Sequence, residues 1–419
     1  MPKSLYICYF GVREPLVQTQ VIPYLLEIIK DKVNVGLLTF EPDLNRTWTG
    51  KQIEAERQLL KQKGITWYHL PYHKHPSVPA TFYDILNGAR MVRRLIGRDN
   101  IDILHCRVHV PALMAAIARK FSRKKPKLLF DIRGFFPEEY TDAGVWPANG
   151  WLYHAAKRVE KWVLNEADGF VVLTEKARKI VFPEITVDAD SGSSFDRHGK
   201  PVEVIPCCVD TKRFEIPDED VRVQVRDELA IGDRFVIVYA GSFGGWYLSD
   251  EMFDLFSTAR ELDPQVFIMI MTQRNSEAAV EELKKRGFNE NDFFVRSVAP
   301  SEMPRYLSAA NAGISFIKPC YSKQASSPTK NAEYLASGLP IIANANIGDV
   351  DALIIDNGVG VLIDEMNHLS YANTIRRLGE LGDIRKHCRE VARREFDLVT
   401  VGGKRYRRLY HKLLHNVAQ

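Results

Sequence analysis

Residues 311–349 read NAGISFIKPCYSKQASSPTKNAEYLASGLPIIANANIGD, and this stretch decides the fold. The run 313–317 (GISFI) is short, apolar and β-branched, which predicts a buried strand after the turn-forming Asn311. A loop of small and turn residues follows, Ser326-Ser327-Pro328-Thr329. The pattern of 330–337 predicts a helix, stopped by Gly338 at its C′ position with Pro340 just beyond. Residues 339–343 (LPIIA) predict the next strand. Strand, loop, helix, strand is the parallel βαβ unit, whose loop lies at the carboxyl edge of the sheet where ligands bind. Backbone N–H groups of residues 327–330 would face an incoming anion at the helix N-terminus. Lys330 adds a cation where the helix dipole disfavours one, a placement that a phosphate partner explains. Glu333, one turn on, suits two hydrogen bonds from a ribose diol. The plain alternative is a capped helix bearing a solvated Lys and Glu.

The segment SPTKNAEYLASGLPIIA resembles the donor-binding segment of retaining GT-B glycosyltransferases of family four. That family carries a Glu, seven residues, then Glu-Ala-Met-Ala-x-Gly-x-Pro-Val. The second Glu falls on Glu333, which the resemblance implies binds the nucleotide ribose. The first falls on Ala325, so the chain departs from the motif there and that carboxylate's role is not carried over. The SSPTK-x-x-EYLA form resembles a sub-branch in which Lys330 and the Ser-rich loop, Ser326 to Thr329, replace it.

At 419 residues the chain is too long for one core, and two domains are expected. Composition is that of a soluble globular protein, 45% hydrophobic and 26% charged, with no apolar run long enough to span a membrane. The start MPKSLYICYF reads straight into a strand, without signal-peptide features. Six cysteines without C-x-x-C spacing predict reduced thiols, hence a cytoplasmic protein, with the inner membrane face as a further option. A net charge of +4 is too small to argue for nucleic acid. Two basic clusters, 120–127 (KFSRKKPK) and 404–412 (KRYRRLYHK), are solvated faces or contacts for anionic lipid headgroups.

Strand-like runs at 4–10, 33–40, 65–69, 101–105, 127–131, 169–173 and 202–205 alternate with helical patterns at 16–31, 49–63, 81–97, 110–122, 150–166 and 175–181. A second series follows the linker 206–220, ending in a long helical tail from about residue 369. Alternating β and α predicts an α/β fold of two doubly wound parallel sheets. The segment 182–201, rich in Gly, Ser and Asp, predicts a mobile surface loop. The resemblance implies GT-B architecture: two Rossmann-like domains across a cleft, with a final helix, 401–419, crossing back to the first. It implies an acceptor-binding domain over 1–210 and a donor-binding domain over 211–400.

In the first half, Gly11 ends the first strand, where a missing Cβ lets backbone approach a ligand. The segment GVREPLVQTQVIPYL resembles a family loop and helix that place Gln18 near donor or acceptor. HCRVHVP follows the strand 101–105; the family has His-x-His there, and this chain has Arg107 in the second place with His109 after it. Both lie at the right edge for substrate contact, and no general-base role follows. The stretch 131–140 (DIRGFFPEEY) resembles the sub-branch's D-x-R-G-F-x-x-x-E, making Arg133 and Glu138 site candidates; the alternative is an Arg133–Glu138 ion pair that shapes the loop. Trp146 and Trp151 form a sugar wall or core.

In the second half, 239–247 (YAGSFGGWY) is a strand and a glycine-rich turn, whose Gly241, Ser242 and Gly244 present N–H groups to phosphate. It lacks the G-x-G-x-x-G of a dehydrogenase. The Arg and Lys with which the family grips the diphosphate after this strand are absent; Arg274 is the candidate replacement, with Lys318 and Lys323 as others. Arg296 to Val298 lie where the family holds the base edge. Asp188-Ala189-Asp190 matches a D-x-D metal motif but reads as solvated acid. The resemblance implies a retaining transferase that moves a sugar from a nucleotide-diphosphate sugar to a glycan, lipid-linked or small-molecule acceptor, with no metal or other cofactor. The alternatives are a non-hydrolysing sugar-nucleotide epimerase and a nucleotide-sugar-binding scaffold.

Overall fold

The computed structural model describes residues 1–188, 193–215, 219–273 and 275–415. The chain divides into two compact units, Met1–Pro206 with Val401–Gln419, and Cys207–Thr400.

The first unit holds strands β1 (Lys3–Ile7), β2 (Asn34–Glu41), β3 (Ile65–Pro71), β4 (Ile103–Arg107), β5 (Lys127–Ile132), β6 (Gly169–Val172), β7 (Ile185–Asp188), β8 (Ser193–Asp196) and β9 (Pro201–Val204). They form one sheet in the order β3-β2-β1-β4-β5-β6-β9-β8-β7. Strands β1 to β6 and β9 pair in parallel. Consecutive residues Leu5, Tyr6 and Ile7 are all buried, as in a sheet covered by helices on both faces.

Three local expectations are corrected. The helix expected over 16–31 is two, Pro15–Gln20 and Ile22–Ile29, broken at Val21. Pro23 has no N–H to give to the Thr19 carbonyl, so the first helix cannot run on. The expected mobile loop at 182–201 contains an antiparallel hairpin, β7 on β8, with β8 in turn antiparallel to β9. Its strands are too short to register as alternation among Ser and Asp. Asp196 makes the turn into β9: its Oδ1 accepts from the His198 amide at 2.9 Å and the Lys200 amide at 2.8 Å. The tail expected as one helix from 369 is three, His368–Glu380, Arg385–Phe396 and Lys404–His415. Gly382 (φ +63°) sits in the first break. Asp397 fixes the second, accepting from the amides of Val399 (3.0 Å) and Thr400 (2.7 Å) and from the Thr211 hydroxyl (2.7 Å).

The last helix packs on the first unit. Tyr410 Oη lies 2.8 Å from Ser4 Oγ on β1, Tyr406 donates to Asp131 on β5 at 3.1 Å, and Arg407 pairs with Glu27 at 2.7 Å.

The second unit holds β10 (Val236–Ala240), β11 (Phe267–Met271), β12 (Phe293–Arg296), β13 (Ala312–Ser315), β14 (Ile341–Asn344) and β15 (Gly360–Ile363). They form an all-parallel sheet in the order β12-β11-β10-β13-β14-β15. Alternate residues feed its two faces: Val236, Val238 and Met269 enter one core, Ile237, Tyr239 and Ile270 the other. In each unit the winding reverses between two central strands, β1 and β4 in the first, β10 and β13 in the second. The crevice at such a point, outside the strand carboxyl ends, is where doubly wound sheets bind ligands.

Candidate active site

In the second unit, the loops after β10 and β13 meet at the reversal. Gly241 (φ +149°), Gly244 (φ +75°) and Gly245 (φ +62°) carry the chain through a turn that a side chain would resist. The helix Thr329–Ala336 starts after extended Pro328, whose carbonyl accepts from the Asn331 amide at 3.0 Å. The amides of Thr329 and Lys330 precede the first intrahelical bonds and stay open to an anion. The helix ends in a Schellman motif: Gly338 N–H donates to Leu335 O at 2.9 Å and Leu339 N–H to Tyr334 O at 2.8 Å.

Tyr334 fastens this helix to the sheet. Its ring lies where a β-carbon on Gly313 would stand, 2.4 Å from Cδ2, and its hydroxyl accepts from the Ala240 amide at 2.8 Å. Lys330, four residues earlier, shares that face of the helix. Its Nζ sits 4.2 Å from the ring centres of both Tyr239 and Tyr247, is 7% exposed, and has no hydrogen-bond partner. Burial lowers its pKa to about 7 against the opposing pull of Glu333. Glu333 is half-buried; burial raises its carboxyl to about 7, opposed by Arg213 and Lys330. Neither residue is the solvated surface group of the plain alternative. Tyr239 is itself held by donating its hydroxyl hydrogen bond to Ser242 O.

The other second-unit candidates take varied positions. Ser327 Oγ accepts from the Cys207 amide at 3.0 Å, and the Ser326 amide donates to Lys323 O at 3.1 Å. Ala325, at the place of the missing carboxylate, is buried. Lys323 is buried with Nζ 3.8 Å above Trp246, while Lys318 is exposed. Val298 is buried and its carbonyl accepts from Gln273 at 3.0 Å; Arg296 is exposed beside the Phe294 ring. Arg274 lies outside the described residues, as do Ala189 and Asp190 of the D-x-D match.

In the first unit the centre is Asp131, fully buried at the end of β5. Arg133 Nε meets it at 3.0 Å, His105 Nε2 at 3.7 Å and Arg107 Nη1 at 4.0 Å. Burial alone would raise this carboxyl; Arg133, His105 and Arg107 outweigh it and hold the pKa well below the usual carboxylate range. Burial lowers the His105 pKa, and its Nδ1 lies 2.9 Å from Tyr410 Oη. Arg133 thus pairs with Asp131, correcting the alternative Arg133–Glu138 pair; Glu138 instead takes Lys157 at 3.0 Å. His109 Nε2 reaches Glu160 at 2.9 Å. It follows Val108, a β-branched residue at φ +64° and ψ 179°, which is strained backbone at a strand's carboxyl end. Gly11 packs tightly: a β-carbon there would stand 2.8 Å from Pro42 and 3.0 Å from Glu41. Gln18 is exposed and donates to Val12 O at 2.7 Å, so it braces its own loop. Trp146 stacks on Tyr140 with ring centres 4.4 Å apart; Trp151 is exposed.

The sequence reading missed the roles of Tyr239 and Tyr247, whose partner is 83 or more residues away. It also missed Glu160, Lys157 and Tyr406, which reach the site only through helix packing. Both basic clusters make contacts within the unit: Lys124 pairs with Asp102, Lys127 with Asp168, and Lys125 donates to the Arg119 and Lys120 carbonyls; Arg407 pairs with Glu27 and Arg408 with Glu203. No helix among the described residues is long and apolar enough to cross a membrane.

Residues 46–213 match the family described as Glycosyltransferase Family 4, and residues 221–395 match Glycosyl transferases group 1. A GDP-mannose-dependent alpha-(1-6)-phosphatidylinositol monomannoside mannosyltransferase of Mycolicibacterium smegmatis is 25% identical over 172 residues, 39% of this chain and 43% of that relative's length. The match therefore spans less than half of either chain. Alr3699/HepE of Anabaena, solved with UDP and glucose, superposes with a TM-score of 0.66 at 16% identity over 98% of this chain and 100% of that one. A glycosyltransferase of Rickettsia africae gives 0.69 at 15% identity, covering 99% of each chain. The superposition over nearly the whole length shows the GT-B fold, and with residues 46–213 and 221–395 matching these two family models the chain belongs to the group 1/family 4 glycosyltransferases.

Proposed function

We propose that the chain is a retaining glycosyltransferase whose second unit binds a nucleotide-diphosphate sugar and whose first unit binds the acceptor. The observation that carries this reading is Lys330, a buried cation without a hydrogen-bond partner on the first turn of a helix whose first amides precede the intrahelical bonds. A diphosphate satisfies all three features at once, and Glu333 is one turn on for the ribose. The donor nucleotide is UDP or GDP, which the names of similar proteins carry. A glycan or lipid-linked acceptor fits the phosphatidylinositol mannoside named for the M. smegmatis relative.

The acceptor oxygen attacks the anomeric carbon on the face from which the diphosphate leaves. The new glycosidic bond forms as the old bond breaks, and the acceptor proton passes to the departing phosphate oxygen. No protein nucleophile is needed; Lys330 and the helix amides stabilise the charge that develops on the leaving group. In the first unit, Arg133, Arg107, His109 and Glu138 position the acceptor. The test is a thermal shift against UDP, GDP, ADP, CMP, NAD and their sugar conjugates, followed by acceptor turnover. A shift specific to one nucleoside diphosphate, lost in Lys330→Ala and Glu333→Ala, is expected. A shift with NAD alone overturns the reading.

A further inference from the structure

The loop that follows β10 delivers one aromatic ring to a fixed place. Gly244 (φ +75°) and Gly245 (φ +62°) turn the chain, and the Tyr247 amide closes that turn by donating to Gly244 O at 3.1 Å. Beyond the turn the loop is pinned to the segment after β13. The Lys318 amide donates to Trp246 O at 2.8 Å and the Leu248 amide to Phe316 O at 3.4 Å, with Tyr247 bridged antiparallel to Ile317. Backbone bonds on both sides thus hold Tyr247, whose side chain is half-buried against Lys330. The second ring belongs to Tyr239 on β10, 2% exposed, with its hydroxyl hydrogen engaged by Ser242 O. The two ring centres are 6.4 Å apart with their planes at 78°, and Lys330 Nζ is 4.2 Å from each.

A buried ammonium is costly unless something compensates it. A carboxylate partner would do so by cancelling the charge, and it would then compete with any anion that arrives. Ring faces act differently. Their negative quadrupole attracts the cation, by about 2 kcal/mol when water is excluded, and leaves its net charge and its N–H donors unused. That is the arrangement around Lys330. Its Nζ has no hydrogen-bond partner, so Glu333, one turn on, is not bonded to it, and the aromatic contacts come from a strand and a loop outside its own helix.

We propose that Tyr239 and Tyr247 are positioning residues of the donor site, holding the Lys330 ammonium by their ring faces so that its charge and donors stay free for a diphosphate. The inference rests on the reading that the second unit binds a nucleotide-diphosphate sugar, and adds how its cation is kept in place. The tyrosines act through Lys330 and make no bond to the donor themselves.

The test is a double-mutant cycle on the full chain, read as UDP and GDP affinity by calorimetric titration. It is run at pH 6.5, below the value of about 7 to which burial lowers the ammonium. Tyr247→Leu removes a ring face and is expected to weaken nucleoside-diphosphate binding by about tenfold. Tyr247→Phe keeps the face and restores the affinity, with unfolding temperatures unchanged in both. In a Lys330→Met background, Tyr247→Leu has no further effect. A second readout needs no nucleotide: acetic anhydride labels Lys330 readily in Tyr247→Leu and poorly in the wild type and Tyr247→Phe. Additive losses in the cycle, failure of Tyr247→Phe to rescue, or equal labelling of all three proteins would overturn the proposal. A wild type that binds neither nucleotide overturns the donor reading and this proposal with it. Wild-type binding that Lys330→Met weakens and Tyr247→Leu does not overturns this proposal alone.

Discussion

A β-carbon built on Gly241 would stand 2.8 Å from the Nζ of Lys330, so the glycine of one loop makes the room that the lysine of another element occupies. The two residues are far apart in sequence, and the lysine's cage is completed by Tyr239 and Tyr247. Gly241→Ala places a methyl group against the ammonium and also forces φ +149° on a residue with a side chain. We predict that it displaces Lys330 and weakens nucleoside-diphosphate binding at least tenfold, while stability falls by about 1–2 kcal/mol. Calorimetric titration and denaturant unfolding of the same variant check both effects.

Lys330→Met should abolish most turnover, by about a hundredfold, as for loss of one preorganised group at a developing charge. It should not destabilise the fold. The ammonium's pKa is lowered from its ordinary value to about 7, so the unfolded chain holds a proton that the folded chain has lost between about pH 7 and the ordinary lysine range. Wild-type stability therefore rises relative to Lys330→Met as pH increases through that window. Paired melting curves at pH 6.5, 8 and 9.5 read the trend; a constant difference across them refutes the buried, uncompensated cation.

Tyr334→Phe keeps the ring against Gly313 but leaves the buried Ala240 amide without its acceptor. An unsatisfied buried donor costs about 1–3 kcal/mol. The second unit should melt a few degrees lower. Because the same helix face carries Lys330, donor affinity should fall with it.

Asp131→Asn leaves Arg133 and Arg107 buried without their shared anion, a change that costs about 3–5 kcal/mol. The wild-type carboxyl is depressed in the folded state, so its contribution is fully present above the unfolded value near pH 4 and is lost as pH falls through the still lower folded value. The stability gap between wild type and Asp131→Asn should be flat from pH 5 to 8 and narrow only in stronger acid. Urea unfolding across this range measures it.

Val108→Gly tests the strained backbone ahead of His109. Glycine accepts φ +64° freely, so relief of strain of about 1 kcal/mol is expected to offset the lost side chain. If the strain serves to aim His109, the acceptor KM rises while donor binding stays the same. Unchanged KM would assign the strain to packing alone.

Much of the fold was legible because it depends on local pattern. Apolar β-branched runs bounded by glycine and proline gave the strands of both sheets, and Gly338 with Pro340 marked a helix end that the Schellman geometry bears out. Where local pattern was weak, the reading failed. The strands Ile185–Asp188 and Ser193–Asp196 are each four residues long, and pairing with each other and with Pro201–Val204 overrides their polar composition. The single glycine at 382 and the proline at 23 interrupt helices whose amphipathic period runs on regardless.

The chain's residues by themselves determined the parallel α/β architecture, a helix over 330–337 that the structure bounds at Thr329–Ala336, and the presence of a lysine and a glutamate one turn apart at its start. Periodicity, capping and turn chemistry act within a few residues of each other. Only tertiary structure decided that Lys330 is buried between two tyrosines, that Asp131 rather than Glu138 binds Arg133, and that the basic last helix spends its charges on Glu27 and Glu203. Burial and ion pairing join residues from distant strands and helices, and the free energy of a charge depends on what surrounds it rather than on its neighbours in the chain.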